Sequence, residues 1–298
     1  MQISPEQLAA LSAILRNGSF EAAATELNVT QSAISQRIRQ LEDRLGLTLI
    51  KRGQPCTGTT AGQRLAKHAE DLALLERQAL GDLGLSAQSA PRRVTIAVNA
   101  DSLATWFAPA LADIGDLLFD VIIDDQDHSA DWLRRGTVSA AVTAAGQQIS
   151  TCDVHPLGQM RYVATASPAF IAHWFAKGMT SQTAARAPML VFNEKDALQH
   201  RWLNQELGAD IRPPTQQLPS THAFVDVCLL GGGWGLNPEP LVRDHLRAGR
   251  LLALGQRPHL HVPLDWQISR AMAPALQLLT QSVRTVALNT LQHEVAGM

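Results

Sequence analysis

The sequence contains few of the residues that indicate a secreted, membrane or metal-binding protein. Among 298 residues there are only three cysteines, Cys56, Cys152 and Cys228, with no CxxC pair and no histidine at a metal-ligand spacing. We therefore expect free thiols in a reducing compartment, with no disulfide, metal or cofactor. The N-terminus has no signal-peptide pattern, and no stretch approaches the roughly 18 to 20 apolar residues of a membrane span. These absences predict a soluble cytoplasmic protein with no membrane partner.

The motifs of common catalytic sites are also missing. There is no G-x-S-x-G, H-E-x-x-H or P-loop, and the ten histidines are scattered. The glycine-rich segment 231–235 lacks the dinucleotide-binding spacing and follows a predicted helix, so we interpret it as a helix end and a tight turn. We expect a protein that is not an enzyme, and an amino-acid-binding enzyme is kept as an alternative.

Charge of either sign is modest, but it is unevenly divided. Charged residues make up 17% and hydrophobic residues 46%, which is typical of a globular chain, and the net charge is −2. Residues 1–67 carry eight basic and five acidic side chains, so their net charge is +3, which leaves −5 for the rest. A small anion-binding head on an acidic body would show this division.

The head has the pattern of a helix-turn-helix. Ser4 and Pro5 begin one helix, Ser19 caps a short second helix, and Thr30 caps a third that runs to Gly46. The third helix has an apolar stripe made of Ala33, Ile34, Ile38, Leu41 and Leu45. Its opposite face is polar, for which a solvated surface is the simpler explanation. However, there is no acidic residue from 27 to 41, which favours a surface that binds an anion. The side chains expected to contact bases and phosphates are Thr30, Gln31, Ser32, Ser35, Gln36, Arg37 and Arg39.

The segment after the third helix predicts a wing. Residues 47–55 form a short apolar strand followed by a basic turn, in which Lys51 and Arg52 would lie against backbone phosphates. Thr59 then caps a long helix over 60–83, whose apolar seam would pair with a second copy of the chain. That seam consists of Leu65, Leu72, Leu75, Ala79 and Leu83. We expect a homodimer or homotetramer, since paired half-sites need paired recognition helices.

The remaining sequence predicts an α/β body. Strands such as 94–98, 119–123, 140–143, 189–192 and 215–218 alternate with helices, which favours doubly wound parallel sheets with ligands at strand carboxyl ends. The predicted division is a winged helix-turn-helix over 1–59, a linker helix over 60–84, a hinge over 85–91, one lobe from 92–165 and 270–298, and a second lobe over 166–269.

Several short motifs resemble one family of bacterial regulators. F-x-x-A-A occurs at residues 20–24, T-Q-S-A-I-S-Q-R-I-R-Q-L-E at 30–42 and T-x-A-G at 59–62. In order and spacing they resemble the LysR-type transcriptional regulators, although the wing has Gln54-Pro55-Cys56 where that family commonly has a second arginine. The segments N-A-D-S-L-A-T-W at 99–106 and D-D-Q-D-H-S at 124–129 are similar to the ArgP/LysG branch.

The resemblance implies a two-lobed effector domain like that of periplasmic binding proteins, operator DNA and RNA polymerase as partners, and a lysine or arginine signal that controls export or metabolism genes. A helix start at Ser102, or at Ser220 and Thr221, could bind the carboxylate of an amino acid. Its cationic side chain needs an acidic partner, for which the candidates are Asp101, Asp124, Asp125, Asp127 and Asp226. We add Asn99 and Thr143, which lie at strand ends. A different small molecule, or a redox signal at Cys152 or Cys228, is the alternative within the same family.

Overall fold

The N-terminal head is a winged helix-turn-helix in the computed structural model, which describes residues 3–85, 92–112, 114–115, 117–124 and 129–292. Its helices are α1 (Pro5–Asn17), α2 (Phe20–Glu26) and α3 (Gln31–Leu45), and its wing is the antiparallel pair β1 (Ile50–Lys51) and β2 (Thr57–Gly58). The side chains of Ser4, Ser19 and Thr30 each accept a hydrogen bond from the first turn of the helix that follows. The predicted caps, helices and wing are therefore confirmed.

The T-x-A-G motif joins the wing to the long helix α4 (Thr60–Asp82). The hydroxyl of Thr59 accepts a hydrogen bond from the backbone N–H of Gly62 over 3.1 Å and donates to the carbonyl of Thr48 over 2.8 Å. A Cβ atom on Gly62 would lie 2.0 Å from the carbonyl oxygen of Leu49. Only glycine allows this helix to approach the wing so closely.

The body is built on a mixed sheet of seven strands in the order β10-β6-β11-β5-β3-β4, with β9 also paired to β6. The strands are β3 (Arg92–Asn99), β4 (Leu117–Asp124), β5 (Ala140–Ala144), β6 (Cys152–Ala166), β7 (Met189–Val191), β8 (Thr215–Gln217), β9 (Gly235–Pro238), β10 (Leu252–Ala253) and β11 (His259–Ser269). The helices are α5 (Ala100–Ser102), α6 (Pro109–Ala112), α7 (Ser129–Arg134), α8 (Pro168–Trp174), α9 (Ser181–Ala184), α10 (Leu198–Leu207), α11 (Thr221–Leu229), α12 (Glu239–Arg247) and α13 (Gln277–Thr290).

The predicted parallel arrangement is correct for part of the sheet. Strand β3 is parallel to β4 and β5, and β7 is parallel to β8 in a separate pair. We call the β3, β4 and β5 region lobe 1, and the β7, β8 and β9 region lobe 2. The prediction is wrong for β6, β9, β10 and β11, which pair in antiparallel fashion.

Two long antiparallel strands connect the lobes, and the sequence did not predict the first of them. Strands β6 and β11 pair along their length, with one end of β11 beside β5 and one end of β6 beside β9. Pro156 and Gly158 interrupt the alternation in β6, where the pairing register shifts, which explains why the strand pattern was not recognised. The predicted lobe boundaries at 165/166 and 269/270 fall next to the ends of these strands and stay a prediction.

Helix α4 presents two different faces. Leu74 is buried in the core of the body together with Val94 and Ile96, whereas Leu72 and Leu83 of the predicted seam are exposed. Most of the predicted hinge, residues 86–91, lies outside the described residues. None of the described helices is long and apolar enough to cross a membrane.

Candidate functional site

The polar face of α3 is the candidate nucleic-acid interface. Thr30, Gln31, Ser32, Gln36 and Arg39 are exposed. Ser35 and Arg37 are half-buried on the same helix. The hydroxyl of Thr30 also holds the helix start, because it accepts a hydrogen bond from the N–H of Ala33 over 3.2 Å. The helix therefore presents amide, hydroxyl and guanidinium groups to solvent, which are the groups that can read base edges in a major groove.

The wing lies next to this helix and is tied to it. One carboxylate oxygen of Glu42 on α3 accepts hydrogen bonds from the N–H groups of Leu49, over 2.6 Å, and Ile50. Lys51 is exposed on β1. The guanidinium of Arg52 lies 5.7 Å from the centre of the Phe20 ring on α2. Two basic side chains thus lie on a wing whose position relative to α3 is fixed.

A second candidate site lies where the two lobes meet, around the carboxylate of Asp101. Asp101 belongs to the short helix α5 at the carboxyl end of β3 in lobe 1. One of its oxygens accepts a hydrogen bond from the hydroxyl of Thr221, the first residue of α11 in lobe 2, over 2.8 Å. The other accepts a hydrogen bond from the hydroxyl of Tyr162 over 2.9 Å. Burial raises the pKa of Asp101, and the nearby Asp196 raises it further.

Asp101 and Thr221 line a small cavity with Asp196, Gln199 and Asn237. Asp196 accepts hydrogen bonds from the N–H groups of Phe192 and Leu198, and burial raises its pKa. Among the described residues, neither Asp101 nor Asp196 forms an ion pair with an arginine or a lysine. The Oε1 atom of Gln199 and the Oδ1 atom of Asn237 are buried and accept no hydrogen bond from any described residue. The cavity is therefore rich in acceptors and poor in donors.

Four residues at this site, Asp196, Gln199, Asn237 and Tyr162, were not predicted from the sequence. Tyr162 is the only tyrosine of the chain, a signal that could have drawn attention to it, but it lies on the unrecognised strand β6. Asp196 lies in the loop before α10, where its carboxylate accepts a hydrogen bond from the N–H of Leu198 at the start of that helix.

The other predicted effector residues lie in different surroundings. Asn99 is buried at the end of β3, and Ser102 lies within the helix that it was predicted to begin, with a buried hydroxyl that has no partner among the described residues. Thr143 is buried and accepts a hydrogen bond from the amide of Gln267 over 2.8 Å. Ser220 is the N-cap of α11. Of the remaining candidates, Asp226 is exposed and does not line the cavity, and Asp125 and Asp127 lie outside the described residues.

Asp124 forms a second connection between the lobes. At the end of β4, beside Asn99, its carboxylate accepts a hydrogen bond from the indole N–H of Trp132 over 2.9 Å. The ammonium of Lys195, in the loop that also carries Asp196, lies 3.4 Å from it. Asp124 of lobe 1 and Lys195 of lobe 2 thus form an ion pair between the lobes.

The two cysteines considered for a redox signal are buried. Burial raises the pKa of the Cys152 thiol, and it raises the pKa of the Cys228 thiol to about 12. The Sγ atom of Cys228 also accepts a hydrogen bond from the amide of Asn237 over 3.5 Å. Because the thiolate is the reactive form, these surroundings suit core cysteines rather than redox sensors.

Comparison with known proteins decides what kind of protein carries these two sites. Residues 5–63 match the model of the bacterial regulatory helix-turn-helix protein, lysR family, and residues 87–288 match the LysR substrate binding domain. The chain belongs to the LysR family of transcriptional regulators. As a LysR-type regulator it binds DNA through the helix-turn-helix, and its family is one of regulators rather than enzymes.

Individual relatives place this LysR-type regulator in the ArgP/LysG branch. It is 43% identical over 286 residues to LysG from Mycobacterium tuberculosis, covering 96% of this chain and 94% of that protein. The crystal structure of ArgP from Mycobacterium tuberculosis superposes with a TM-score of 0.81 at 42% identity, covering 99% of this chain and 100% of that one. Full-length LysG from Corynebacterium glutamicum, solved with bound effector Arg, gives 0.67 at 33% identity, covering 97% and 99%.

Proposed function

We propose that this LysR-type regulator senses a basic amino acid, arginine or lysine, in the cleft between its lobes and controls genes for the export or metabolism of that amino acid. The observation that carries the proposal is the set of buried acceptors around Asp101 and Asp196. Among the described residues, neither carboxylate is paired with an arginine or a lysine, and the amide oxygens of Gln199 and Asn237 accept no hydrogen bond. A guanidinium or an ammonium supplies the charge and the N–H donors that this set requires.

The orientation of the ligand follows from the charges on the two lobes. We place the cationic end between Asp101 and Asp196, where its charge would offset the burial, and the smaller repulsion from Asp196, that raise the pKa of Asp101. The α-carboxylate would lie near Ser220 and Thr221 at the start of α11, because the N-terminus of a helix favours an anion. Asn99, Ser102 and Thr143 are kept as proposed contacts at the strand ends of lobe 1. The effector bound to the LysG structure from Corynebacterium glutamicum is an arginine, which agrees with this chemistry.

The cavity is too small for an amino acid in this conformation. It encloses about 20 Å³, which is room for a water molecule. The ligand must therefore separate the lobes and break the hydrogen bond between Thr221 and Asp101, or bind a conformation in which that bond is absent. Only a difference in affinity between the two arrangements allows the ligand to change DNA binding.

The DNA-binding unit in this proposal is a homodimer or homotetramer. A groove of about 640 Å³ runs between α1, α4 and lobe 1, with Leu8, Leu72 and Ala73 among the residues that line it. Together with the exposed Leu80 and Leu83, it offers α4 an apolar surface for a second copy of the chain. Pairing places two copies of α3, with Arg37 and Arg39, on a dyad-symmetric operator, where Lys51 and Arg52 would contact phosphates. Contact with RNA polymerase completes the proposed mechanism.

The proposal is tested with the full-length protein and a DNA duplex that it enriches from a random-sequence pool. The Kd for the duplex is measured at several salt concentrations, alone and with millimolar L-arginine, L-lysine or L-citrulline, the uncharged isostere of arginine. We expect the affinity to fall steeply with salt. We also expect L-arginine or L-lysine to change the affinity or the bend of the DNA, whereas L-citrulline does not. An equal effect of L-citrulline, or no effect of either cationic amino acid, would contradict the cationic effector.

A further inference from the structure

A buried lysine connects the linker helix to lobe 1. Lys67 lies on α4 with only 6% of its side chain exposed. Its ammonium donates hydrogen bonds to the carboxylate of Asp71, one turn further along the helix, and to the hydroxyl of Ser139 over 2.7 Å. The hydroxyl of Ser139 in turn donates to Asp71 over 3.2 Å. Because a buried charge is costly without partners, this closed network favours one position of the helix on the lobe.

Ser139 is itself fixed within the sheet of the body. Its N–H donates to the carbonyl of Thr95 on β3 over 2.8 Å, and its carbonyl accepts from the N–H of Ser269 on β11 over 2.9 Å. Ser139 immediately precedes β5, and β3 leads to Asn99 and Asp101 at the cleft. The strands of lobe 1 therefore run from the contact with α4 directly to the candidate effector site.

The contact extends along one face of the helix. Leu74, two turns after Lys67, is 3% exposed in the core that includes Val94 and Ile96. Glu70, on the same face, has a pKa raised by burial, which the charge of Lys67 partly offsets. Leu72 and Leu83 lie on the opposite side and are exposed. One face of α4 thus belongs to lobe 1, while the other is available to a second copy of the chain.

We infer that Lys67 is a positioning residue that fixes α4 to lobe 1, so that the DNA-binding head and lobe 1 turn as one rigid body when the lobes move relative to each other. A rotation of lobe 2 against lobe 1 then changes the angle at which paired copies of α4 present their recognition helices. The hydrogen-bonded network of Lys67, Asp71 and Ser139 links the two parts without contacting DNA or effector. This role of Lys67 rests on the proposed function only for the identity of the signal, a basic amino acid.

Two substitutions test this link at different points. Lys67→Met removes the ammonium and keeps a side chain of similar length. Ser139→Ala removes only the hydroxyl, leaving the pair between Lys67 and Asp71 within α4 intact, and so keeps the test valid if the first variant folds poorly. Lys177→Met, at an exposed lysine, is the matched control.

The first measurement is hydrogen–deuterium exchange of the full-length proteins without ligand. For both test variants we expect the amides of residues 67–75 to exchange about tenfold faster than in the wild type, because local opening of α4 becomes easier. The amides of 31–45 in the head should be unchanged. Exchange at wild-type rates over 67–75 in both variants would overturn the inference, whatever the effector is.

The second measurement is the ratio of the duplex Kd values with and without L-arginine. Coupling between two sites typically changes affinity by about 5- to 150-fold. We expect the ratio to fall to within about twofold of one in Lys67→Met, while the Kd for L-arginine, measured by calorimetry, stays within about twofold of the wild type. A wild-type ratio in both test variants would overturn the inference. A wild-type protein whose ratio stays close to one with both L-arginine and L-lysine would instead contradict the proposed function, and the exchange measurement would still test the role of Lys67.

Discussion

Replacement of Asp101 by asparagine separates the two roles that the structure gives this side chain. Asparagine has almost the same shape, and its amide can still bond to the hydroxyls of Tyr162 and Thr221, which can donate or accept. The fold of the cleft should therefore be retained. The substitution removes the charge proposed to hold the cationic end of the effector.

The size of the effect follows from the burial of the carboxylate. Truncating one member of a buried, hydrogen-bonded charge pair costs about 2–4 kcal/mol of binding. At 1.36 kcal/mol for each factor of ten, that is a loss of about 30- to 1000-fold in affinity for L-arginine. The effect of Asp101→Asn on the stability of the free protein has the opposite sign. Burial raises the pKa of Asp101, so the folded state disfavours the charge that the substitution removes.

The pH dependence of stability follows from the same shift. A carboxyl group whose pKa is raised on folding stabilises the folded state most below its unfolded pKa, and this contribution is lost as the pH rises through the folded pKa. At neutral pH, Asp101→Asn should therefore be at least as stable as the wild type in urea denaturation. The advantage of the variant should shrink as the pH falls towards the ordinary range of an aspartate.

Calorimetry with L-arginine and L-citrulline measures the binding effect. Asp226→Asn is the matched control, because Asp226 is exposed on α11 outside the cavity, and its affinity for L-arginine should stay within about twofold of the wild type. The preference for arginine over citrulline should disappear in Asp101→Asn and be retained in Asp226→Asn. Wild-type affinity for L-arginine in Asp101→Asn, or a large loss in Asp226→Asn, would refute the reasoning.

Three further predictions concern the head and the linker helix. Arg37→Ala or Arg39→Ala should weaken binding to the selected duplex by about 1–3 kcal/mol, and equal affinity of variant and wild type in fluorescence anisotropy would remove α3 from the interface. Gly62→Ala should destabilise the head by about 1–3 kcal/mol or more in urea denaturation, because the new Cβ would meet the carbonyl of Leu49. The control Gly53→Ala should be nearly neutral, because the nearest atom to its new Cβ lies 3.4 Å away. Leu72→Glu combined with Leu83→Glu should shift the protein to monomers in analytical ultracentrifugation. Leu230→Glu, at another exposed leucine, is the control. Unchanged oligomers in the double variant would exclude the α4 seam as the interface.

The head could be predicted from the sequence almost completely because its signals are local. Ser4, Ser19 and Thr30 are caps, Gly18 and Gly46 end helices in the left-handed conformation, and the apolar stripe of α3 has helical spacing. Each of these features depends on residues within one or two turns of each other. The resemblance to the family added the expected role of this head.

The cleft could be predicted only in part because it depends on contacts between distant residues. Asp101 and Thr221, which are 120 positions apart, were both candidates, and the structure brings them together. Tyr162 and Asp196 were not found, because β6 has no clear alternation and because a loop aspartate resembles a simple helix cap. Asp226 was proposed from its residue type alone, and the direction in which a side chain on α11 points cannot be derived from composition.

The most direct test of the account is a calorimetric titration of the wild-type protein with L-arginine, L-lysine and L-citrulline in two buffers of different ionisation enthalpy. We expect binding of at least one cationic amino acid and none of citrulline. We also expect release of protons near the raised pKa values of Asp101 and Asp196, because the bound cation stabilises their charged forms. Absence of heat with both cationic amino acids at millimolar concentration, or citrulline binding as tightly as arginine, would contradict the account.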